Sequence, residues 1–501
     1  MRLSQLVRSL RACRVVMRRD VDVKGVTADS RTVQPGFVFV AIPGFSQDGH
    51  VFVSDAVRRG AAAVVVERAM DLPDGVAQAV VKDAREALSA LSDRLYGQPS
   101  RKLLVCGVTG TKGKTTTTYL VRSICEAGGC PSGLMGTVAY RIGRREVPAV
   151  ATTPEAPLVH GHLHEMVRAG LRAAVMEVSS HALVLRRVAH VHFRVAVLTN
   201  VMPHEHTDFH GSFEAYRAAK ALLFAPLGKG QVAVLNRDDA NFEYFRERTG
   251  AEVITYGMGK DADVRGRILE SSMAGSRLAI ELFGKLALEV RTPLFGRYNA
   301  SNVLGAAAAA FALGMHEEAI ERGVRELPQV PGRLEPVNCG QDFTVLVDYA
   351  HTADALRGVL ETLRPLTSGR LIVVFGCGGN RDRTKRPLMG KVASELADFV
   401  WLTSDNSRNE RTEDIVREIE AGLVRRDLHR VCEDRAEAIR GAIDMARSGD
   451  IVLLAGKGHE TVQIIGEIRT CFDDRLVARE AIRRRMFREA LPGSFSSVAA
   501  L

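Results

Sequence analysis

The sequence predicts an α/β protein in three domains. These are a small N-terminal α/β domain over 1–100, a central P-loop domain on a parallel sheet over 101–334, and a C-terminal Rossmann-like domain over 335–501. Three observations predict it. A chain of 501 residues holds about three domains of ordinary size. Apolar runs of strand length alternate with helical spacing, an order that argues parallel sheets covered by helices. One stretch, LLVCGVTGTKGKTTTT from Leu103 to Thr118, joins strand, glycine loop and helix in the order that cradles phosphate.

Composition removes several classes. The chain is 46% hydrophobic and 25% charged, an ordinary globular balance, with a net charge of +9. Its basic residues are scattered rather than clustered beside aromatics, and it has one Trp. An anionic small substrate accounts for the excess, and no nucleic acid is expected. The eight cysteines form no CxxC pair, which argues against disulfide frameworks and zinc ribbons and for a reducing cytoplasm. No apolar run is long enough to span a membrane; Ala306 to Leu313 is the richest. A monomer is expected. The Arg-rich start lacks the apolar core of a secretory signal and reads as the first amphipathic helix and strand.

In the first domain, Val38 to Ile42 reads as a buried strand bracketed by Pro35-Gly36 and Pro43-Gly44. Asp29-Ser30-Arg31 and Asp48-Gly49-His50 place polar groups on the loops either side, where turn chemistry accounts for them. Asp55 to Arg59 and then Ala62 to Val66 read as helix into strand. Gly97-Gln98-Pro99-Ser100 reads as the closing linker.

The central domain opens with the strand Leu103 to Cys106, then a loop with Gly107, Gly110, Thr111, Lys112 and Gly113, then a helix from Lys114. Glycines let backbone N–H groups point at a phosphate, and the helix N-terminus adds about half a positive charge. Lys114 is placed to reach the β/γ-phosphates of ATP, and a hydroxyl of Thr115 or Thr116 to ligate Mg²⁺. The strict pattern is not met, because Val108 stands five residues before Gly113. Later strands end in polar loops: Thr152-Thr153-Pro154-Glu155, Glu177-Val178-Ser179 after Ala173 to Met176, and Thr199-Asn200 after Arg194 to Leu198. In such sheets the carboxyl ends of the strands form the ligand crevice. Glu177 is the natural oxygen ligand for Mg²⁺. His160, His162 and His164 are expected on an exposed helix face. His204-Glu205-His206-Thr207-Asp208 lacks the second helical ligand of a zinc protease, since position 208 is Asp.

The third domain repeats the device. Val345 to Val347 delivers Asp348 and His351, Leu371 to Phe375 delivers a Gly-rich turn ending at Arg381, Phe399 to Thr403 delivers Asp405-Asn406-Ser407-Arg408, and Ile451 to Leu454 delivers Gly456-Lys457-Gly458-His459-Glu460. The Gly-rich turn fails as a dinucleotide fingerprint because Arg381 stands where a glycine is required. Fixed charges on four strand ends suit a zwitterionic substrate. The segment 491–501 reads as a tail.

The set GTKGKTT, TTPE, MEVSSHAL, TNVMPHEHTDFHG, LFGRYNASN, VPGRLE, VDYAHT, FGCGGNRDRTKRP, SDNSR and GKGHE resembles the Mur ligases, most closely the member that adds the third peptide residue. The resemblance extends to DSRTVQPGFVFVAIPG in the first domain. It implies cytoplasmic, ATP-dependent amide formation in peptidoglycan synthesis, with Mg²⁺. The D-glutamate carboxylate of UDP-MurNAc-L-Ala-D-Glu attacks the γ-phosphate to give an acyl phosphate, and a diamino acid then displaces phosphate. It further implies roles for individual residues. Ser30 lies at the uridine end, and Thr152, Thr153, Ser179 and Arg187 hold the UDP-muramoyl portion. Glu177 and His206 match Mg²⁺ positions, and Lys220 matches a lysine carbamylated in this family. Asn299, Arg333, Asp348 and His351 match ATP-side positions, while Arg381, Asp405, Asn406, Arg408, Gly456 and Glu460 match the amino-acid pocket. Leu185, Glu205 and Ser407 depart from the family pattern. Ser407 replaces the proline of a DNPR box associated with meso-diaminopimelate, which is expected to loosen the loop that aims Arg408. meso-Diaminopimelate is the first choice of amino acid, with L-lysine or L-ornithine as alternatives. Another P-loop ATPase or kinase, or a folylpolyglutamate synthetase-like ligase, is the competing class.

Overall fold

The computed structural model describes all residues except 11–13, 18, 46, 204–206, 260, 285 and 491–501. Its backbone packs as two compact units. One comprises Met1–Glu270, Ser276–Leu294 and Tyr298–Leu327; the other comprises Ser271–Gly275, Phe295–Arg297 and Pro328–Leu501.

The first unit contains two sheets. The N-terminal one has five strands in the order Arg14–Val16, Ala77–Val80, Ala63–Val66, Phe37–Val40, Gly25–Thr27. All neighbours run parallel except the Arg14–Val16 edge. Successive side chains of Phe37–Val40 and Ala63–Val66 point to opposite faces, and both faces are covered. Val38, Val40 and Val65 pack with Leu88 and Leu91 of the helix Ala84–Leu95; Phe39, Val64 and Val66 pack with Val53 and Ala56 of the helix Val53–Arg58. Burial on both faces is why these strands are unbroken apolar runs. The polar loops beside them are turn chemistry, as expected. Asp29 accepts from the Arg31 N–H, and Asp48 accepts from the His50 N–H at 3.0 Å.

The segment read as the closing linker is packed: Pro99 and Ser100 are buried, and the Ser100 hydroxyl accepts from the His192 N–H at 3.0 Å. One expectation fails beside it: the histidine face is not exposed. His160 lies fully buried where the helix Ala156–Arg168 meets the helix Ala84–Leu95, with Nε2 3.4 Å from Ser89 Oγ and Nδ1 3.5 Å from Asp93 Oδ1. The first-domain helix covers a face that the second-domain pattern alone leaves open.

The central sheet has eleven strands. Its parallel middle runs Glu252–Gly257, Val232–Asn236, Val195–Leu198, Leu104–Thr109, Ala173–Glu177, Ser132–Met135. The edges were not expected: Ala139–Ile142 and Arg145–Pro148 continue antiparallel on one side, and Gly275–Leu282 pairs antiparallel with Leu286–Thr292 on the other. Hairpins alternate polar and apolar residues and lack the signal of a strand buried on both faces. Leu104–Thr109 has parallel neighbours on both sides, so the glycine loop emerges at the middle of the sheet.

The second unit is built on six strands in the order Glu335–Pro336, Thr344–Asp348, Ile451–Ala455, Leu371–Phe375, Phe399–Leu402, His429–Val431, parallel apart from the first pair. A separate hairpin pairs Val462–Ile465 with Ile468–Cys471. Below the strand ends, Arg435 and Asp474 form a fully buried ion pair at 2.6 Å. The same guanidinium donates to the carbonyls of Ser404 at 3.2 Å and Ala455 at 3.0 Å.

Candidate active site

In the first unit the strand Leu104–Thr109 turns into the loop at Gly110, and the helix Lys114–Ala127 starts after Gly113. Both glycines have positive φ, +150° and +85°, and both are in close contact. A Cβ would lie 1.8 Å from Thr199 Oγ1 at Gly110 and 2.3 Å from Asn302 Oδ1 at Gly113. The loop is fastened from the next strand. The Thr111 N–H donates to the Asn200 carbonyl at 2.8 Å and the Lys112 N–H to Asn200 Oδ1 at 2.9 Å, while Thr199 Oγ1 donates to the Lys112 carbonyl at 2.6 Å. Lys114 folds back to the carbonyls of Gly110 at 2.8 Å and Thr111 at 3.0 Å. The ammonium is therefore held inside the loop that would enclose a phosphate.

Glu177 sits at the end of the neighbouring strand, 1% exposed. Its Oε1 accepts from Thr115 Oγ1 at 3.0 Å and from the Thr137 N–H at 2.8 Å, and its Oε2 from Thr137 Oγ1 at 3.0 Å. Of the two hydroxyls left open by the sequence, Thr115 is the one that meets the carboxylate. Thr116 is buried beside it. A hydroxyl and a carboxylate fixed against each other are hard oxygen donors, the set a magnesium ion takes. Thr137 also ties this centre to the residues expected to hold the UDP substrate, since its hydroxyl lies 3.0 Å from that of Thr152. Thr153 Oγ1 donates to the Glu177 carbonyl at 2.9 Å and accepts from the Ser179 N–H at 3.1 Å; Arg187 donates to the Thr153 carbonyl at 3.0 Å and pairs with Glu155 at 2.6 Å.

Lys220 is carried on the helix Phe213–Ala221 and is 1% exposed. Its ammonium donates to the Gly110 carbonyl at 2.9 Å and lies 4.5 Å from the centre of the Tyr216 ring. Tyr216, one turn earlier, places its hydroxyl 3.0 Å from Thr111 Oγ1. One helix thus touches the phosphate loop at two successive residues. Asn299, on the helix Arg297–Ala312, accepts from Asn302 Nδ2 at 3.2 Å, and Asn302 in turn closes on Gly113. The structure gathers Gly110, Thr111, Lys112, Gly113, Lys114, Thr115, Thr116, Glu177, Lys220, Thr152, Thr153, Ser179, Arg187 and Asn299 into one connected group. Ser30 is buried in the N-terminal domain, and no described contact joins it to that group. His206, with His204 and Glu205, lies outside the described residues.

In the second unit, Asp348 is buried, and its carboxylate accepts from the N–H groups of Leu334 and Ala350, each at 2.8 Å. Arg333 lies 5.1 Å from the Tyr349 ring centre, and His351, exposed, has its ring 4.6 Å from the same ring. Among the predicted pocket residues, Asn406 Nδ2 donates to Glu460 Oε2 at 2.8 Å. A Cβ at Gly456, whose φ is +106°, would come within 2.9 Å of Asp405 Oδ2. Arg381 is exposed on the neighbouring loop. Arg408 is half-buried at a φ of +51°, and its Nη1 donates to the Gly379 carbonyl at 2.8 Å and the Asn406 carbonyl at 3.3 Å. Among the described residues no carboxylate pairs with it. The loop is not loose at Ser407, which is 1% exposed. The Arg408 N–H donates to the Ile464 carbonyl at 3.1 Å and its own carbonyl accepts from the Gly466 N–H at 2.7 Å. The hairpin supplies the restraint that a proline would otherwise provide.

Asn200, Thr137, Asn302 and Tyr216 were missed as site residues. Asn200 carried a signal, since it follows the buried strand Val195–Leu198; the other three act through side chains distant in sequence from the loop.

A glycine loop at the centre of a parallel sheet, with a fixed carboxylate and a buried lysine beside it, defines a P-loop nucleotide-binding α/β protein. Family models match three consecutive segments: Mur ligase family, catalytic domain over 22–104; Mur ligase middle domain over 108–310; and Mur ligase, glutamate ligase domain over 332–458. The chain belongs to the Mur ligase family. It is 45% identical over 474 residues, 93% of this chain and 96% of the relative, to the UDP-N-acetylmuramoyl-L-alanyl-D-glutamate--2,6-diaminopimelate ligase of Geobacillus thermodenitrificans. It is 46% identical over 466 residues, 92% of this chain and 94% of the relative, to the ligase of the same name from Solibacter usitatus. A solved structure of a 2,6-diaminopimelate ligase of this name superposes with a TM-score of 0.67 at 34% identity, covering 93% of this chain and 95% of that one.

Proposed function

We propose that the chain is an ATP-dependent ligase that joins meso-diaminopimelate to UDP-MurNAc-L-Ala-D-Glu in cytoplasmic peptidoglycan synthesis. The observation that carries this reading is similarity over nearly the whole chain to ligases named for that reaction. A kinase or simple ATPase has no need of charged strand-end loops in a third domain. A folylpolyglutamate synthetase is not expected to carry the first domain, which a Mur ligase model matches over 22–104.

The reaction runs in two steps. An oxygen of the D-glutamate carboxylate bonds to the γ-phosphorus of ATP as the bond to ADP breaks, giving an acyl phosphate. The neutral amine then adds to the acyl carbon, and phosphate leaves as the amide forms. Positioning and charge neutralisation do most of the work in such transfers. The N–H groups at the start of the helix Lys114–Ala127 and the ammonium of Lys114 bind the phosphates. Thr115 and Glu177 would hold Mg²⁺, which when bound offsets negative charge on the phosphate oxygens. Lys220, as its carbamate, would add a further carboxylate to that centre. Thr152, Thr153, Ser179 and Arg187 hold the muramoyl end, and Ser30 the uridine end. Arg408 pairs with the distal carboxylate that distinguishes diaminopimelate from lysine and ornithine, with Asp405, Asn406 and Glu460 around the rest of the amino acid.

The test is to supply ATP, Mg²⁺ and UDP-MurNAc-L-Ala-D-Glu with an equimolar mixture of meso-diaminopimelate, L-lysine and L-ornithine, and to weigh the product. The diaminopimelate adduct should dominate, and ADP release should depend on the amine. A lysine or ornithine adduct overturns the choice of amino acid, and ADP release without any amine overturns the ligase reading.

A further inference from the structure

Lys457 is fully buried in the second unit. Its ammonium donates to the Val462 carbonyl at 2.8 Å, to Asn406 Oδ1 at 3.3 Å and to Glu460 Oε2 at 3.3 Å. An ammonium has three protons, so these bonds use its whole donor capacity and leave none for a ligand. Its effect falls on its neighbours. Asn406 Oδ1 also accepts from the Ile464 N–H at 2.9 Å, so the amide oxygen faces two donors. Turning the amide over would set its NH₂ against both of them. The NH₂ is thereby directed to Glu460 Oε2, at 2.8 Å. That oxygen now takes two donors, one from Asn406 and one from Lys457. Oε1 has no partner among the described residues, on a side chain that is 31% exposed.

We propose that Lys457 is a positioning residue for the amino-acid substrate. It fixes Asn406 and Glu460 in one arrangement, leaving Glu460 Oε1 to accept from the ammonium group of the incoming diamino acid. This rests on the assignment of Asn406 and Glu460 to the amino-acid pocket made above. A carboxylate already fixed by two donors loses little side-chain freedom when the substrate arrives, which favours binding of the amine. Without the buried cation, Asn406 loses one of the two donors that set its orientation, and Glu460 loses a charged partner.

The experiment compares Lys457→Met, Glu460→Gln and the double variant in the full chain, with ATP, UDP-MurNAc-L-Ala-D-Glu and meso-diaminopimelate. Lys457→Met should raise KM for diaminopimelate by about 10- to 100-fold, with KM for ATP unchanged within about twofold. The double variant should be no worse than Glu460→Gln alone, because both act on the same contact. Lys457→Gln, which keeps an amide donor for its neighbours, should raise KM less, and it decides the matter if the methionine variant does not fold. If Glu460→Gln raises KM for diaminopimelate while both Lys457 variants leave it unchanged, or move kcat and KM for ATP instead, the positioning role is wrong and the pocket assignment stands. If Glu460→Gln also leaves it unchanged, the pocket assignment fails, and the role of Lys457 with it.

Discussion

Arg408 holds its backbone in the left-handed region, where a non-glycine residue is strained, and the hairpin bonds at its N–H and carbonyl keep it there. Its guanidinium spends one nitrogen on two carbonyls and leaves the rest of its planar fork for a carboxylate. Arg408→Ala should therefore cost about 2–5 kcal/mol in kcat/KM for meso-diaminopimelate and much less for L-lysine, read from competition assays. Ser407 is a separate matter. Its hydroxyl is buried with no hydrogen-bond partner among the described residues, a group that costs about 1–3 kcal/mol to leave unsatisfied. Ser407→Ala should stabilise the protein by about 1 kcal/mol, measured by denaturant unfolding, with kcat/KM preserved. Loss of activity in that variant would mean the hydroxyl does more than fill space.

At the scale of elements, the glycine loop and the helix after it form one device. Lys114→Ala should abolish ligation with the fold retained, because it removes the charge placed to meet the β/γ-phosphates, as read from the assay and a melting curve together. Turnover near normal at saturating ATP would overturn the phosphate-loop assignment. The helix Ala156–Arg168 offers a test of a different kind. Burial holds the His160 imidazole down at about 3, from an ordinary value of 6.5. The unfolded chain therefore binds a proton that the folded one refuses between these values, and stability falls as pH drops from 6.5 towards 3. The loss from this group is about 2 kcal/mol at pH 5, and His160→Gln should remove it, seen as a flatter stability profile between pH 7 and pH 5. These elements also mark how far the sequence was legible. Strands buried on both faces announced themselves as unbroken apolar runs, and the loops at their ends carried most of the site. The antiparallel edges did not, because their burial is one-sided. The His160 face was misread because its cover comes from a helix some seventy residues earlier, and Tyr216 and Thr137 were missed because each acts across a fold distance that spacing does not encode.

At the scale of the molecule, the chain divides into two compact units, the second of which borrows Ser271–Gly275 and Phe295–Arg297 from the middle of the sequence. The phosphate loop and Glu177 belong to the first unit, and the loops around Arg408 and Glu460 to the second. Hydrogen exchange should separate them. Addition of an ATP analogue with Mg²⁺ should slow exchange at the start of the helix Lys114–Ala127, whereas meso-diaminopimelate should slow it across the 404–410 loop and the hairpin Val462–Ile465. Protection of the 404–410 loop by L-lysine as strong as by diaminopimelate would count against the role given to Arg408.

The buried pair of Arg435 and Asp474 has a consequence for how the protein is made. Synthesis runs from the N-terminus, so Arg435 leaves the ribosome 39 residues ahead of the aspartate that neutralises it. Until then its guanidinium cannot be enclosed without stranding a charge, at a cost of about 3–5 kcal/mol. That guanidinium also gathers the carbonyls of Ser404 and Ala455, below the loops assigned to the amino acid. Among the described residues the helix Asp474–Ala490 is translated after all the others, and its arrival completes this ion pair. A nascent chain stalled short of it should lack the ion pair beneath the loops assigned to the amino acid, and is expected not to complete the ligation.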